Sequence, residues 1–345
     1  MLLGIAIMIA FVPGVIGLAS ITSWAVMWLV MPVLLLKCKI EITIIHILGL
    51  VFLSYAALSL LWSPHGTLEL MQLLVLASVF VWAYTLQNLR KIIIGLAIGL
   101  AVSSIIAVLQ YFQLETLVLK NTPNPSGLFV NSNIFAEVSG MLLILILINK
   151  LWWFIPVTLP GLMVSSRAVI LGFLIVGLLW IWEKSKLAAI SLAVSLTFAA
   201  SLINFSMSSI YQRLYIWLDM LSGLTLFGHG IGSFIYLFPD YNKHSDASIN
   251  IAEYAHNELL QLTFELGIGV APFILIILML LKADNDYKYA FVFFIVISCF
   301  GFPLHMPVTA FMVAIVAAQL AKSSLGSRTF VYNSRPIVSN RLAAA

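Results

Sequence analysis

The run Glu253-Tyr-Ala-His256-Asn257-Glu258-Leu-Leu-Gln-Leu-Thr-Phe-Glu265-Leu-Gly267-Ile-Gly269, continued by Val270-Ala-Pro-Phe-Ile-Leu-Ile-Ile-Leu-Met-Leu-Leu281, decides what the rest of the chain must be. Its second half is apolar without interruption, and a spanning helix needs about 20 mostly apolar residues. Its first half places a histidine, three carboxylates and two glycines at the mouth of that helix. Ionisable groups there are costly and are usually retained for function. Read as one helix at about 100° per residue, the run puts His256, Leu260, Thr263 and Gly267 on one face and Glu258, Gln261 and Glu265 on the other. A helix polar on two sides cannot face lipid on either, which predicts a place inside a bundle or beside a wet cavity.

The remainder of the 345 residues agrees: 62% are hydrophobic, 9% are charged, and mean hydropathy is +1.11. Soluble domains carry roughly 25% charged residues. The expected fold class is therefore all-α, a polytopic membrane protein with no large soluble domain. Apolar runs lie at about 2–19, 22–36, 43–62, 67–86, 91–110, 133–149, 151–164, 167–182, 187–204, 257–281, 289–303 and 306–321, which gives about twelve transmembrane helices. The weakest, 151–164, holds Pro156 and Pro160 and reads as a bent or partial span.

Loop charge orients this layout. With a cytoplasmic N-terminus, the inside loops carry Lys37, Lys39, Arg90, Lys91, Lys150, Lys184, Lys186, Lys282 and Lys288, and the tail adds Lys322, Arg328, Arg335 and Arg341. Only Lys120, Arg167, Arg213 and Lys243 of the 17 basic residues fall outside. That bias predicts residues 1–322 as one membrane domain with both termini cytoplasmic, and 323–345 as a flexible cytoplasmic tail. No basic segment precedes the first run, so it reads as a retained anchor helix. Cys38 and Cys299 lie in or beside apolar runs, so no disulfide framework is expected. With basic residues distributed for orientation, the net charge of +4 points to no nucleic acid partner.

Two outside loops are long. The first, about 111–132, contains Asn121-Thr-Pro-Asn-Pro-Ser-Gly127 and reads as turns. The second, about 205–256, is the largest soluble piece. Within it Ile210, Leu214, Trp217 and Leu221 form an apolar stripe, which predicts an interfacial helix. Gly228-His-Gly230-Ile-Gly232 ends that helix.

Three residues stand out chemically, each beside a plainer reading. His256 is a titratable base with an ordinary pKa of roughly 6.5; its plainer reading is an interfacial helix cap. Arg167 is an outside arginine that either snorkels to headgroups or binds anions. Arg213 is either on a solvated face or an anion ligand. A guanidinium fork suits phosphate oxygens. Asn131 and Asn133 either cap a helix or bind sugar hydroxyls. Gly228 to Gly232 lacks the Lys-Ser/Thr of a nucleotide loop. His46, His65, His229, His244 and His305 show no paired ligand spacing, and no Gly-x-Ser-x-Gly or zincin signature is present. Neither a metal nor a nucleotide cofactor is expected.

Four blocks in order, Gly127-Leu-Phe-Val-Asn131-Ser-Asn133-Ile-Phe-Ala136, Ser165-Ser-Arg167, Arg213 with Trp217 and Gly228-His-Gly-Ile-Gly232, and His256-Asn257 with Glu265-Leu-Gly267-Ile-Gly269, resemble the O-antigen ligase and polymerase superfamily of bacterial envelope glycan assembly. The likeness covers roughly residues 120–280, and the last block is its most specific part. It implies an inner-membrane enzyme whose donor is a glycan on undecaprenyl pyrophosphate. The implied acceptor is a lipid A–core sugar, another lipid-linked unit (a polymerase) or a protein hydroxyl. It implies His256 as general base or acceptor-orienting residue and Arg167 and Arg213 as pyrophosphate binders, with Asn133 and Glu265 also contacting substrate. Membrane lipids are the other expected partners. A secondary transporter or flippase is the rival class; such proteins usually show repeated halves, and no internal repeat is evident here. A scaffold without chemistry leaves Glu265 and Arg167 unexplained.

Overall fold

The computed structural model describes residues 18–36, 38, 42–63, 65–114, 124–129, 131–164, 166–201, 208–244 and 253–326. Among these there are α-helices and short 3-10 turns and no strands. The helices are α1 (Leu18–Leu35), α2 (Ile44–Leu58, extended by a 3-10 turn Ser59–Leu61), α3 (Thr67–Thr85), α4 (Arg90–Tyr111) and α5 (Ser132–Ile148). A 3-10 segment, Trp152–Thr158, leads into α6 (Leu159–Met163); then come α7 (Arg167–Lys184), α8 (Lys186–Ser201), α9 (Ser208–Ser222) and α10 (Phe234–Tyr241). After α11 (Glu258–Leu266) a 3-10 turn, Gly267–Val270, joins α12 (Ala271–Leu281), followed by α13 (Tyr287–Ser298) and α14 (Pro307–Gly326).

Among the described residues, five stretches are long and apolar enough to cross a membrane: Ile44–Leu61, Thr67–Thr85, Arg90–Tyr111, Glu258–Leu281 and Pro307–Ser324. Shorter apolar helices, among them Ser132–Ile148 and Tyr287–Ser298, accompany them. Large apolar side chains such as Leu29, Leu50, Leu61, Ile105, Trp153 and Val194 are exposed on the outside. Such a surface suits lipid and not water. The expected run 2–19 lies outside the described residues up to residue 17, as do residues 115–123 of the first outside loop, 245–252 of the second and 327–345 of the tail.

α14 is the central helix. It is apolar all round, and 72% of its spanning stretch is buried inside the protein. It packs on α3, while α13 packs on α7 and on α5. Small residues permit the close approaches. A Cβ added to Gly140 of α5 would lie 2.6 Å from the Phe293 ring, and one added to Gly172 of α7 would lie 2.7 Å from it. The Phe293 ring of α13 thus fills the space both glycines leave.

The run 151–164 is bent and partial, as its prolines predict: it is the 3-10 segment and five-residue α6, packed on α4 and α5. Pro156 and Pro160 remove amide donors that a continuous helix needs. The apolar stripe of α9 stays on the outside of the protein at Ile210, Leu214 and Leu221, the arrangement of an interfacial helix, while Trp217 turns inward with Ile216 and Met220 against Phe234, Phe238, Ala255 and Phe264.

One expectation is corrected: the opening run is not one helix. It breaks at Gly267, where φ is +53° and a Cβ would meet Leu226 O at 2.3 Å. Only glycine takes both the torsion and the contact without strain. The Leu226–Gly230 loop enters the gap. His229 N–H donates to Phe264 O (3.1 Å), Gly230 N–H to Glu265 O (2.6 Å), and Ile268 N–H to Leu226 O (2.8 Å). The last carbonyls of α11, which a helix end leaves without partners, are met by that loop.

Candidate functional site

A cavity of about 450 Å³ opens at one end of the bundle. Its wall includes Asn131, Asn133 and Glu137 of the α5 start, Ser166 and Arg167 of the α7 start, Arg213 of α9, His256, and Phe300, Gly301 and Phe302 after α13. The starts of two helices and the end of a third meet there, so the chain's polar terminal residues converge.

Local sequence explains each placement. Asn131 is the N-cap of α5, and its side chain accepts the Asn133 N–H at 2.7 Å. Capping by Asn131 leaves the Asn133 amide side chain to line the cavity. One turn later the same face presents Glu137, which is buried. A Cβ on Gly301 would sit 3.0 Å from Glu137 Oε1, so the glycine makes room for that carboxylate. Sequence reading missed Glu137, although its spacing of four from Asn133 marks it.

Arg167 is the first residue of α7. A cation at the positive end of a helix is unfavourable unless an anion sits nearby. Arg213 is half-buried, and among the described residues it makes no ion pair. Burial holds its pKa below the usual guanidinium range; the Glu137 charge works against that shift and the Arg167 charge adds to it. Two guanidiniums close enough to repel each other, with one buried carboxylate between helices, leave an electropositive space suited to a doubly charged anion.

His256 is not part of α11. The N-cap is Asn257, whose side chain accepts the Leu260 N–H at 3.0 Å. The cap reading of His256 therefore passes to its neighbour, and the face it was expected to share with Leu260, Thr263 and Gly267 does not exist. His256 instead has φ +54°, a left-handed torsion that a non-glycine residue takes at some cost and that recurs at functional sites. The preceding residue is pinned on both sides. Ala255 N–H donates to Gln261 Oε1 at 3.0 Å, and Ala255 O accepts from Trp217 Nε1 at 2.9 Å. The imidazole packs 5.2 Å from the Phe302 ring. Burial first, and Arg213 second, push its pKa down to about 4. It is neutral near pH 7, with a lone pair to accept a proton.

The structure thus brings Asn133, Arg167, Arg213 and His256 around one cavity. It places Glu265 elsewhere. That carboxylate is buried and accepts the N–H groups of Gly232 (3.0 Å) and Phe234 (3.4 Å) and the Gln261 amide (3.3 Å). Those bonds fasten the Gly228–Gly232 loop and the start of α10, so Glu265 lies outside the cavity and supports the loop. Asp219, also unremarked in the sequence, does similar work: it accepts the backbone N–H groups of Lys243 and His244 and pairs with His244 Nδ1 at 2.5 Å. Among the described residues, no group of three or more His, Cys, Asp or Glu side chains is arranged to hold a metal. No protein-family model matches the chain, and no curated protein matches it significantly.

Proposed function

We propose that this chain is a membrane glycosyltransferase that moves a glycan from undecaprenyl pyrophosphate onto a lipid A–core sugar hydroxyl at the periplasmic face of a bacterial inner membrane. The observation that carries the reading is one cavity walled by two guanidiniums and a neutral imidazole. In the accompanying topology about twelve spans place both termini in the cytoplasm and the cavity outside.

The chemistry follows from these groups. The acceptor O–H donates its proton to His256 as its oxygen bonds to the anomeric carbon of the donor glycan. The anomeric C–O bond to pyrophosphate breaks, and the leaving phosphate oxygen keeps the electron pair. Arg167 and Arg213 bind the charge that grows there, which is where fixed donors lower a barrier most. A single displacement inverts the anomeric carbon. The low basicity of His256 is a consequence of burial and of Arg213; an anionic pyrophosphate on the arginines offsets the second cause and makes the imidazole a better base once donor is bound. Because the arginines supply the positive charge, transfer persists in chelator without nucleotide.

The test is reconstitution of purified protein with an undecaprenyl-pyrophosphate-linked glycan and three acceptors: lipid A–core, a second lipid-linked unit, and a protein bearing free hydroxyls. Glycosylated lipid A–core is the expected product. Lengthened lipid-linked glycan or glycoprotein reassigns the acceptor, and no transfer to any of them overturns the proposal.

A further inference from the structure

Behind the cavity, the first two turns of α11 carry Glu258, Gln261 and Glu265, all buried. Glu258 Oε1 accepts the Leu304 N–H at 2.6 Å. Its Oε2 is in ion-pair contact with His305 Nδ1 at 3.1 Å, although neither atom is aligned for a hydrogen bond. Gln261 Nε2 lies 3.4 Å from His305 Nε2 while its Oε1 takes the Ala255 N–H. The segment between α13 and α14 is therefore tied to α11 chiefly through Glu258.

That segment has two sides. Phe300, Gly301 and Phe302 face the cavity, and Leu304 and His305 face the buried carboxylates. Tyr254 bridges them, with its ring 4.4 Å from Phe302 and 4.7 Å from His305. Phe302 in turn packs on His256.

We infer that Glu258 is a positioning residue for His256: by holding the Leu304–His305 backbone it seats Phe302 on the imidazole, and with Gln261 it fixes the chain around the left-handed His256 torsion. This rests on the reading of His256 as the base. Glu258 touches no substrate; it acts through Phe302 and through the backbone. Misplacement of a reacting group by about 1 Å costs on the order of 100-fold in rate. Phe302 also keeps water from the imidazole, and desolvation is the main reason that His256 is a weak base. The charged groups that line the cavity with the imidazole are Arg213 from α9, Arg167 from α7 and Glu137 from α5, and all three stay when Glu258 is changed.

The experiment compares wild type, Glu258→Ala, Glu258→Gln, Phe302→Ala and His256→Ala in liposomes, per folded molecule, for donor binding, turnover and the acid limb of kcat/KM. Glu258→Ala is expected to keep donor affinity within about 3-fold, lose about 100-fold in turnover, and move the acid limb upward from about pH 4 towards the ordinary histidine value. Glu258→Gln keeps an oxygen for the Leu304 N–H and recovers to within about 10-fold of wild type. Phe302→Ala, which leaves the Glu258 tie intact, shows the same shift of the limb and decides the matter if Glu258→Ala does not accumulate. An unmoved limb in Phe302→Ala, or Glu258→Ala turnover equal to wild type, overturns the inference. Full transfer by His256→Ala instead overturns the base assignment on which it rests.

Discussion

Two polar regions lie side by side in the chain at His256 and Glu258 and differ in how their charges are met. Behind the cavity, Glu258 and Glu265 are buried and bound: four protein N–H groups reach them, from Leu304, Gly232, Phe234 and the Gln261 side chain. Inside the cavity, Arg213 has no ion pair among the described residues and His256 sits in a strained torsion facing open space. A buried carboxylate bonded to backbone amides of other segments is scaffolding, because those bonds fasten loops. A half-buried cation left facing a space is kept for something that is brought to it. His256, Glu258 and Glu265 come from the same His-Asn-Glu to Gly-Ile-Gly run, so position in the sequence did not separate them; their bonding does.

The comparison can be broken in several ways. The largest effect is expected at the cavity: Arg213→Lys keeps the charge and loses the planar fork, so transfer should fall by on the order of 100-fold. Arg167→Lys should follow in the same direction. Wild-type turnover in both would make the arginines headgroup anchors. At the scaffold, Glu265→Ala should act on stability and not on chemistry. Orphaning its buried donors costs about 3 kcal/mol, read as a lower melting temperature in detergent, while transfer per folded molecule stays within about 3-fold. A folded Glu265→Ala with donor binding abolished would put Glu265 back in the site. The smallest effect is on pH. With His256 lowered to about 4, its neutral form prevails above that value. Acidification removes the base only as pH falls through about 4, so kcat/KM in wild type should stay flat from neutrality to about pH 5. A drop centred near pH 6.5 would mean that the imidazole is solvated.

Much of this was legible in the sequence, for physical reasons. Apolar runs and the basic-loop bias carry the helical membrane character, because lipid demands continuous apolar helices. His256, Arg167 and Asn133 were legible as polar groups at helix mouths, and Arg213 as a cation on the expected interfacial helix. The break at Gly267 was not, since it depends on Leu226–Gly230 entering from about 40 residues away in the chain. Periodicity sees only one segment at a time, so it also gave His256 a helical face that a left-handed torsion removes. Glu265 read as a ligand because a carboxylate in an apolar run looks functional until its amide partners are known. Glu137 was hidden for the converse reason: one carboxylate in an apolar helix stands out little until Gly301 and Arg213 are placed beside it.

The central claim is that the imidazole of His256 takes the proton while the arginines hold the donor, and one comparison tests it most directly. Wild type and His256→Ala, both reconstituted and both folded, are measured for binding of undecaprenyl-pyrophosphate-linked glycan and for transfer to lipid A–core. The account predicts donor affinity within about 3-fold and transfer lowered by roughly 100-fold or more, the usual contribution of a general base. Undiminished transfer, or a loss of transfer fully matched by a loss of donor binding, would contradict it.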